Sequence, residues 1–246
     1  MIRLIREVST VKKRTAAVLL VLCVLFCGMA SGTGETENDT VEESFSSALS
    51  GPGSIDSFPA SFSVVGYNIP TFSDGNFKYR MSDDGETAVL VSYHGTEADV
   101  VFPDTVNGLT VTGIDTAMCL CDPTLESIRI PGSVQTIGIR AFAQCTSLKT
   151  VVIDEGVIKL DKCCFGGCTE LEEIRLPESL EIVDDCAFAS CDRLQEITFG
   201  SGLASIGNMA FLKCSMLSRV NIPGGDDVMI GQDAFGECAD DFRIVY

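Results

Sequence analysis

A hydrophobic pattern with a period of 23 residues fills the second half of the chain. Counting each copy from its position 1, an aliphatic residue opens six copies: Ile114, Ile137, Leu160, Val183, Ile206 and Ile230. The first five lie 23 residues apart and the last follows after 24. A repeat of this length is typical of a chain that winds into stacked coils around one continuous core.

Other residue types recur at fixed positions within each copy. Position 6 is Phe in five copies, position 9 is Cys in five copies, and position 12 is Leu in the first five. Positions 15 and 17 are aliphatic or aromatic throughout. We therefore predict that positions 1, 5, 6, 9, 12, 15 and 17 face inward and stack on their counterparts one coil away. The phenylalanines would form a structural spine: Phe142, Phe165, Phe188, Phe211 and Phe235.

Three segments show the pattern best: IGIRAFAQCTSLKTVVI, VDDCAFASCDRLQEITF and IGNMAFLKCSMLSRVNIP. They resemble the BspA-like, treponemal-type leucine-rich repeat of bacterial and protist surface proteins. This resemblance implies a right-handed leucine-rich-repeat solenoid over residues 114–246, β-rich with short turns or helical segments, with a parallel concave sheet. It also implies a non-catalytic surface module that mediates adhesion or other protein–protein interaction.

The charge of the chain restricts its partners. The sequence has 17 basic and 35 acidic residues, a formal net charge of −18. Residues 1–30 hold five of the basic and one of the acidic residues, so their removal leaves −22. Because nucleic-acid binding depends on Lys and Arg at the phosphates, no nucleic-acid partner is expected. Anionic lipid headgroups would also repel the chain.

Residues 1–30 have the layout of an export signal, with a basic start, an apolar run at residues 16–26 and small residues at the end. Cleavage after Ala30 is predicted, because the apolar run is shorter than the ~20 residues of a spanning helix. An uncleaved anchor, which would be the only membrane contact, is one alternative. Lipidation of Cys27 is another, disfavoured by the bulky Phe26 before it.

Residues 31–60 are rich in Ser, Gly, Thr and acidic residues and are predicted to be a flexible linker. Residues 61–113 are predicted to be an N-terminal cap with a degenerate first repeat. Two apolar runs flank residues 82–85 (Ser-Asp-Asp-Gly), which indicates a β-hairpin. A repeat array needs a polar cap at each end, and the charged residues 237–241 are the candidate at the C-terminal end.

Proline and glycine mark the turns of the repeat. Proline at position 18 should end a strand, because it cannot extend the hydrogen-bond ladder. The prolines are Pro131, Pro177 and Pro223. Glycine at position 2 should occupy a tight turn with a positive φ. The glycines are Gly138, Gly207 and Gly231.

The twelve cysteines favour a structural role. At position 9 of consecutive coils their Cβ atoms would lie ~4.8 Å apart, the strand spacing, which exceeds the ~3.8 Å of a typical disulfide. We predict a ladder of buried thiols that act as small hydrophobes and weak donors to the turn backbone: Cys145, Cys168, Cys191, Cys214 and Cys238. A bridge between Cys163 and Cys186, which share position 4, stays open. Metal binding within residues 163–168 is disfavoured, because the spacing does not match a zinc knuckle.

No catalytic motif is apparent in the sequence. It has no G-x-S-x-G, no H-E-x-x-H and no phosphate-binding loop. His94 is the only histidine, and it stands beside Gly95 in the predicted hairpin with no orienting acid evident nearby. We predict no enzymatic activity, no small-molecule substrate and no cofactor.

The outward side chains of the parallel sheet should stand at positions 13, 14 and 16. This face is the candidate binding surface, since solenoids present such a surface to their partners. It carries four basic and four acidic residues, and these could alternatively form cross-strand ion pairs that only keep the sheet soluble. The fifteen residues are Glu126, Ser127, Arg129, Lys149, Thr150, Val152, Glu172, Glu173, Arg175, Gln195, Glu196, Thr198, Ser218, Arg219 and Asn221.

The pattern and the resemblance together favour a secreted or cell-surface module that binds a protein of a host or of another cell. A structural, envelope-associated scaffold without a host ligand is the alternative from a different class. A thiol, redox or metal protein built on the cysteines is a more remote alternative.

Overall fold

A computed structural model describes residues 71–82 and 85–246. The described residues belong to one compact unit of the chain, Ile69–Tyr246. The predicted export signal (1–30), the linker (31–60) and the first part of the cap (61–70) lie outside the described residues.

The N-terminal cap begins with three antiparallel strands: β1 (Thr71–Asp74), β2 (Phe77–Met81) and β3 (Thr87–Tyr93). β2 and β3 form the hairpin that residues 82–85 predict, whereas β1 has no sequence signal that we recognised. β4 (Asp99–Val101), β5 (Thr105–Val106) and β6 (Leu109–Ile114) follow. β6 pairs parallel to β3, so the cap is continuous with the coils.

Each later coil contributes one short and one long strand. The short strands cover the last position of one coil and position 1 of the next: β8 (Thr136–Ile137), β10 (Lys159–Leu160), β12 (Ile182–Val183), β14 (Ser205–Ile206) and β16 (Met229–Ile230). The long strands begin at position 14: β7 (Ser127–Ile130), β9 (Thr150–Ile153), β11 (Glu173–Arg175), β13 (Glu196–Thr198), β15 (Arg219–Asn221) and β17 (Arg243–Val245). The short strands continue from the cap as one sheet, the short-strand sheet. The predicted solenoid with parallel strands and an N-terminal hairpin is therefore confirmed.

Strands of neighbouring coils pair residues that lie one sequence repeat apart. Leu160 pairs with Ile137, 23 residues before it. Ile230 pairs with Ile206 across 24 residues, and the additional residue lies in the loop that holds a short 3-10 helix, Gly225–Asp227. A coil can therefore vary in length only where a loop can take up the difference.

A further ladder of hydrogen bonds joins the turns at positions 4, 6 and 8. The N–H groups of Phe142 and Gln144 donate to the carbonyls of Cys164 and Gly166 in the next coil, each at 2.8 Å, and later coils repeat the pattern. Positions 4 and 8 have a positive φ, between 52° and 79°, in all six coils. This conformation is costly for residues with a Cβ. It occurs in turns whose N–H groups at positions 4, 6 and 8 all point towards the next coil.

The phenylalanines of position 6 stack face to face along the core. Successive rings from Phe142 to Phe235 have centroids 5.1–5.4 Å apart and interplanar angles of 6–14°. At one end, where the first coil has Cys119, Phe102 of the cap packs on Phe142 at 5.6 Å with its ring tilted by 58°. Phe242 extends the stack at the other end, 5.1 Å from Phe235. Position 5 is a buried alanine in four coils, and the buried Met118 and Cys164 take its place in the other two.

Two details differ from the sequence prediction. The glycines at position 2 do not have a positive φ, and the positive values fall at positions 4 and 8 instead. In the coils that have glycine at position 2, a Cβ would approach the preceding coil too closely, 2.6 Å from the carbonyl oxygen of Ile114 at Gly138 and 2.5 Å from the nitrogen of Asp185 at Gly207. The long strands also form two parallel sheets rather than one, β4–β7–β9–β11 and β13–β15–β17.

The Phe stack predicts where truncation costs most stability. Phe188 is fully buried between two rings, so Phe188→Ala should lower the free energy of unfolding by about 3–5 kcal/mol. Phe235 is only partly buried, so the matched Phe235→Ala should cost roughly half as much. Urea titration followed by circular dichroism measures both. Equal losses would contradict the importance of the stack.

Candidate functional site

The fifteen predicted face residues all lie on the outward side of the long strands or just before them, and each is exposed or half-buried. The inward neighbours Ile128, Val151, Ile174, Ile197 and Val220 are buried. The alternation of strand side chains thus separates a core side from a solvent side. We call the solvent side the long-strand face.

Each of the four predicted basic residues on this face has a carboxylate partner. Lys149 Nζ lies 2.7 Å from Glu126 Oε2 and Arg129 Nε lies 3.0 Å from Asp154 Oδ2, in both cases across a coil junction. Arg175 pairs within its own strand, at 2.9 Å from Glu173. The remaining pair, Arg219 with Glu196, is longer at 3.9 Å. Exposed pairs of this kind contribute little to stability, so they leave the face free to exchange partners.

An open cleft of about 740 Å³ lies where the long strands separate into two sheets. Seven of its twelve lining residues belong to the predicted face: Glu172, Glu173, Arg175, Gln195, Glu196, Thr198 and Ser218. The other five are Ile174, Leu176, Glu178, Phe199 and Gly200. Four carboxylates and a single guanidinium therefore line the cleft, which makes it acidic.

Sequence reasoning missed several residues that shape this cleft. Arg193 reaches from the fourth coil to the third, with Nε at 3.2 Å from Glu170 Oε2 and Nη1 at 3.2 Å from Glu172 Oε1. Glu178 accepts a hydrogen bond from the Ser201 N–H at 3.0 Å. These residues stand outside positions 13, 14 and 16, so a search limited to those positions could not find them. Charges at equal positions of adjacent coils, such as Glu170 and Arg193 at position 11, were the available signal.

The position 9 thiols form regular hydrogen bonds in the core. Each Sγ donates to the carbonyl of position 6 in the preceding coil, as Cys168 does to Phe142 at 3.2 Å and Cys191 does to Phe165 at 3.3 Å. The other three distances are 3.0, 3.1 and 3.4 Å. Four of the five thiols are buried, and Cys238 in the last coil is partly buried. This geometry supports a structural role for the ladder.

Burial also keeps these thiols protonated. Desolvation raises the pKa of Cys145 to about 12 and that of Cys238 to about 11. It raises the pKa of Cys168 and Cys191 well above the usual value of a thiol. A thiol must keep its proton to donate a hydrogen bond, so the raised pKa values and the hydrogen bonds support each other.

The described residues contain no cluster suited to a metal ion, and their histidine lies in the cap. No group of three His, Cys, Asp or Glu residues in this part is arranged to hold a metal ion. His94 Nε2 lies 2.9 Å from Ser92 Oγ in the cap and both are surface residues. Among residues 71–82 and 85–246, no helix has the length and apolar character of a membrane span.

Six copies of the BspA-type leucine-rich repeat region match residues 114–240. The chain therefore belongs to the BspA-type leucine-rich-repeat family. Solenoids of this family are generally non-enzymatic scaffolds for protein interaction.

Solved structures of bacterial leucine-rich-repeat proteins have the same fold. A leucine-rich cell surface protein of Faecalibacterium prausnitzii is 25% identical with a TM-score of 0.55, over 71% of this chain and 54% of its own. The leucine-rich repeat protein of T. pallidum is 24% identical with a TM-score of 0.58, over 71% of this chain and 86% of its own. The chain thus spans about half of the first protein. None of the curated proteins matches the sequence.

Thiol reactivity tests the ladder. Cys121 is exposed, so among the cysteines that the structure describes, a thiol reagent at pH 8 should modify it first in the folded protein. Burial and raised pKa values should protect the position 9 thiols until the chain unfolds. Peptide mapping of the labelled sites, with Cys121→Ser as the control, measures this order. Rapid labelling of Cys168 or Cys191 in the folded Cys121→Ser variant would contradict a buried ladder.

Proposed function

We propose that this protein is an exported, non-catalytic binding module whose protein partner docks on the long-strand face at the acidic cleft. The observation that carries the proposal is the cleft itself, because it interrupts a solvent-exposed face whose residues differ from coil to coil. Its four carboxylates against a single guanidinium favour a partner segment that presents Lys or Arg side chains.

The shape of the site supports a macromolecular partner over a small ligand. The cleft is open to solvent and continuous with a face that crosses several coils, whereas small-molecule sites enclose most of their ligand. The net charge of −18 opposes nucleic acid. The face also lacks a large aromatic anchor of the kind that dominates tight interfaces, so we expect modest affinity that several copies could increase by avidity.

Export and surface location rest on two lines of support. Residues 1–30 have the basic, apolar and small-residue order of a cleaved signal. The related Faecalibacterium prausnitzii structure is described as a cell surface protein. Adhesion to a host or neighbouring cell is the form of binding that this location would favour.

A structural scaffold without a host ligand is the second candidate. The ion pairs of Arg129, Lys149, Arg175 and Arg219 favour it, because each cation is already engaged by the chain itself. The two candidates differ in what they require of the cleft, since a scaffold does not need its acidic side chains.

Charge reversal in the cleft separates the two candidates. The wild-type protein first captures a partner from solubilised surface proteins, and calorimetry then measures its affinity for the purified partner. Glu172→Lys with Glu173→Lys should weaken binding by about tenfold or more, because cations would then face cations. The control pair, Glu181→Lys with Glu237→Lys, makes the same charge change at exposed sites that do not line the cleft. Lys213 already occupies the position equivalent to Glu237 in the preceding coil.

Equal affinity of the two double variants would show that binding does not use the cleft. Failure to capture any partner at the surface, with the protein located in the envelope by fractionation, would favour the scaffold.

A further inference from the structure

The long strands separate at one junction, between the third coil (residues 160–182) and the fourth (residues 183–205). At the preceding junction, the carbonyl of Lys149 accepts hydrogen bonds from the N–H groups of Glu172 at 2.9 Å and Glu173 at 3.1 Å. Within the described part of the chain, no equivalent bond links the Glu172 carbonyl to the N–H of Gln195 or Glu196. These backbone groups lie at the cleft, where solvent can reach them.

The opposite side of the same junction is closed. Ile182 of β12 pairs with Ser205 of β14, and the Asp184 N–H donates to the Leu160 carbonyl at 2.9 Å. The Phe165 ring stays stacked on the next ring at 5.4 Å and 6°, as at the neighbouring junctions. The separation is therefore confined to the long-strand side.

We propose that this junction is a joint, at which the solenoid opens and closes on the long-strand side while the short-strand sheet acts as the hinge. Charge repulsion between the third and fourth coils holds the joint open. Neutralising that charge lets β11 and β13 pair and makes the long strands one sheet.

The repulsion comes from two carboxylates in register. Glu173 and Glu196 both stand at position 14, so they would be direct neighbours if the two strands paired, and like charges in that arrangement destabilise a strand pair. Neither carboxylate is paired with a cation from the coil across the gap. Arg175 contacts Glu173 from the same strand at 2.9 Å, and Arg219 approaches Glu196 from the following coil at 3.9 Å. Neither ion pair therefore joins the third coil to the fourth.

Like charges at position 14 do not by themselves separate two strands, as a second junction shows. Arg219 and Arg243 are in register, and their strands remain paired. Arg219 is turned towards Glu196, which draws its charge away from Arg243. Glu172 and Glu178 also line the open junction, so the negative charge is larger there.

Arg193 limits how far the joint opens. Its guanidinium bridges from the fourth coil to Glu170 and Glu172 of the third, at 3.2 Å to each. The three side chains are about half exposed, between 38% and 53%, and ion pairs of this kind contribute little to stability. The bridge is therefore a loose tether that spans the gap without closing it.

Amide hydrogen exchange of the whole protein tests the joint. In the wild type, the Gln195 and Glu196 amides should exchange faster than the equivalent Ser218 and Arg219 amides, which donate to the Gln195 carbonyl. Glu196→Gln should slow the exchange of residues 195 and 196 by about tenfold, the factor expected for one net hydrogen bond. Glu181→Gln is the matched control: it removes one charge at an exposed site that does not line the cleft, and it should leave the exchange of residues 195 and 196 unchanged.

Two results would overturn the proposal. One is equal exchange at residues 195 and 196 in the Glu196→Gln and Glu181→Gln variants. The other is protection by Phe199→Ile alone, because Phe199 replaces the aliphatic residue of most coils at position 17 and packs on Phe211 at 6.2 Å. In that case, the packing of a large ring would hold the strands apart instead of charge.

Discussion

The structure depends on each side chain stacking on its counterpart one coil away. The short strands, the turns and most of the long strands hydrogen-bond between coils in the register of the sequence period. The Phe stack shows how little the spacing of the coils varies. The distance between successive ring centroids stays between 5.1 and 5.4 Å. A coil of another length would shift every inward residue past its neighbour. The single 24-residue coil avoids this by taking up its extra residue in a loop.

This constraint also explains cysteine at position 9. The carbonyl of position 6 already accepts a hydrogen bond within its own coil, as Phe142 does from the Cys145 N–H at 3.3 Å. Its remaining lone pair faces the apolar core, where an unpaired polar group is costly. A thiol is a weak donor that loses little when it leaves water. Cys168 supplies that donor to Phe142, and desolvation keeps its proton in place by raising its pKa.

The sequence predicts the inward residues well because the same residue type returns at the same position. It does not reveal the strained turn positions, since position 4 holds Ala117, Arg140, Cys163, Cys186, Met209 and Asp233 and so has no common chemistry. Position 2 shows the reverse error, because Gly138 suggested a positive φ when the true requirement is closeness to Ile114. A close approach between coils leaves the same residue preference as a left-handed turn, and only coordinates distinguish them.

The long-strand face was harder to predict for a related reason. Its residues could be located, but their partners could not, because Asp154 and Arg193 reach the face from positions outside the counted set. The division of the sheet is not evident from charge alone, since Arg219 and Arg243 are also like-charged neighbours and remain paired. In our proposal, the pair of strands that separates depends on where the opposite charges lie. The sequence does not show this, because it does not show towards which coil each side chain points.

Any specificity of this protein has to come from differences between coils, because the inward positions are fixed by stacking. Position 14 shows such a difference along the long-strand face, from the uncharged Ser127 and Thr150, through Glu173 and Glu196, to Arg219 and Arg243. The acidic centre of this series coincides with the cleft. A partner that reads the face would therefore meet a fixed order of neutral, negative and positive surface at the spacing of the coils. The repeat that builds the core therefore sets the spacing of the exposed residues, and the differences between coils determine which partner can bind.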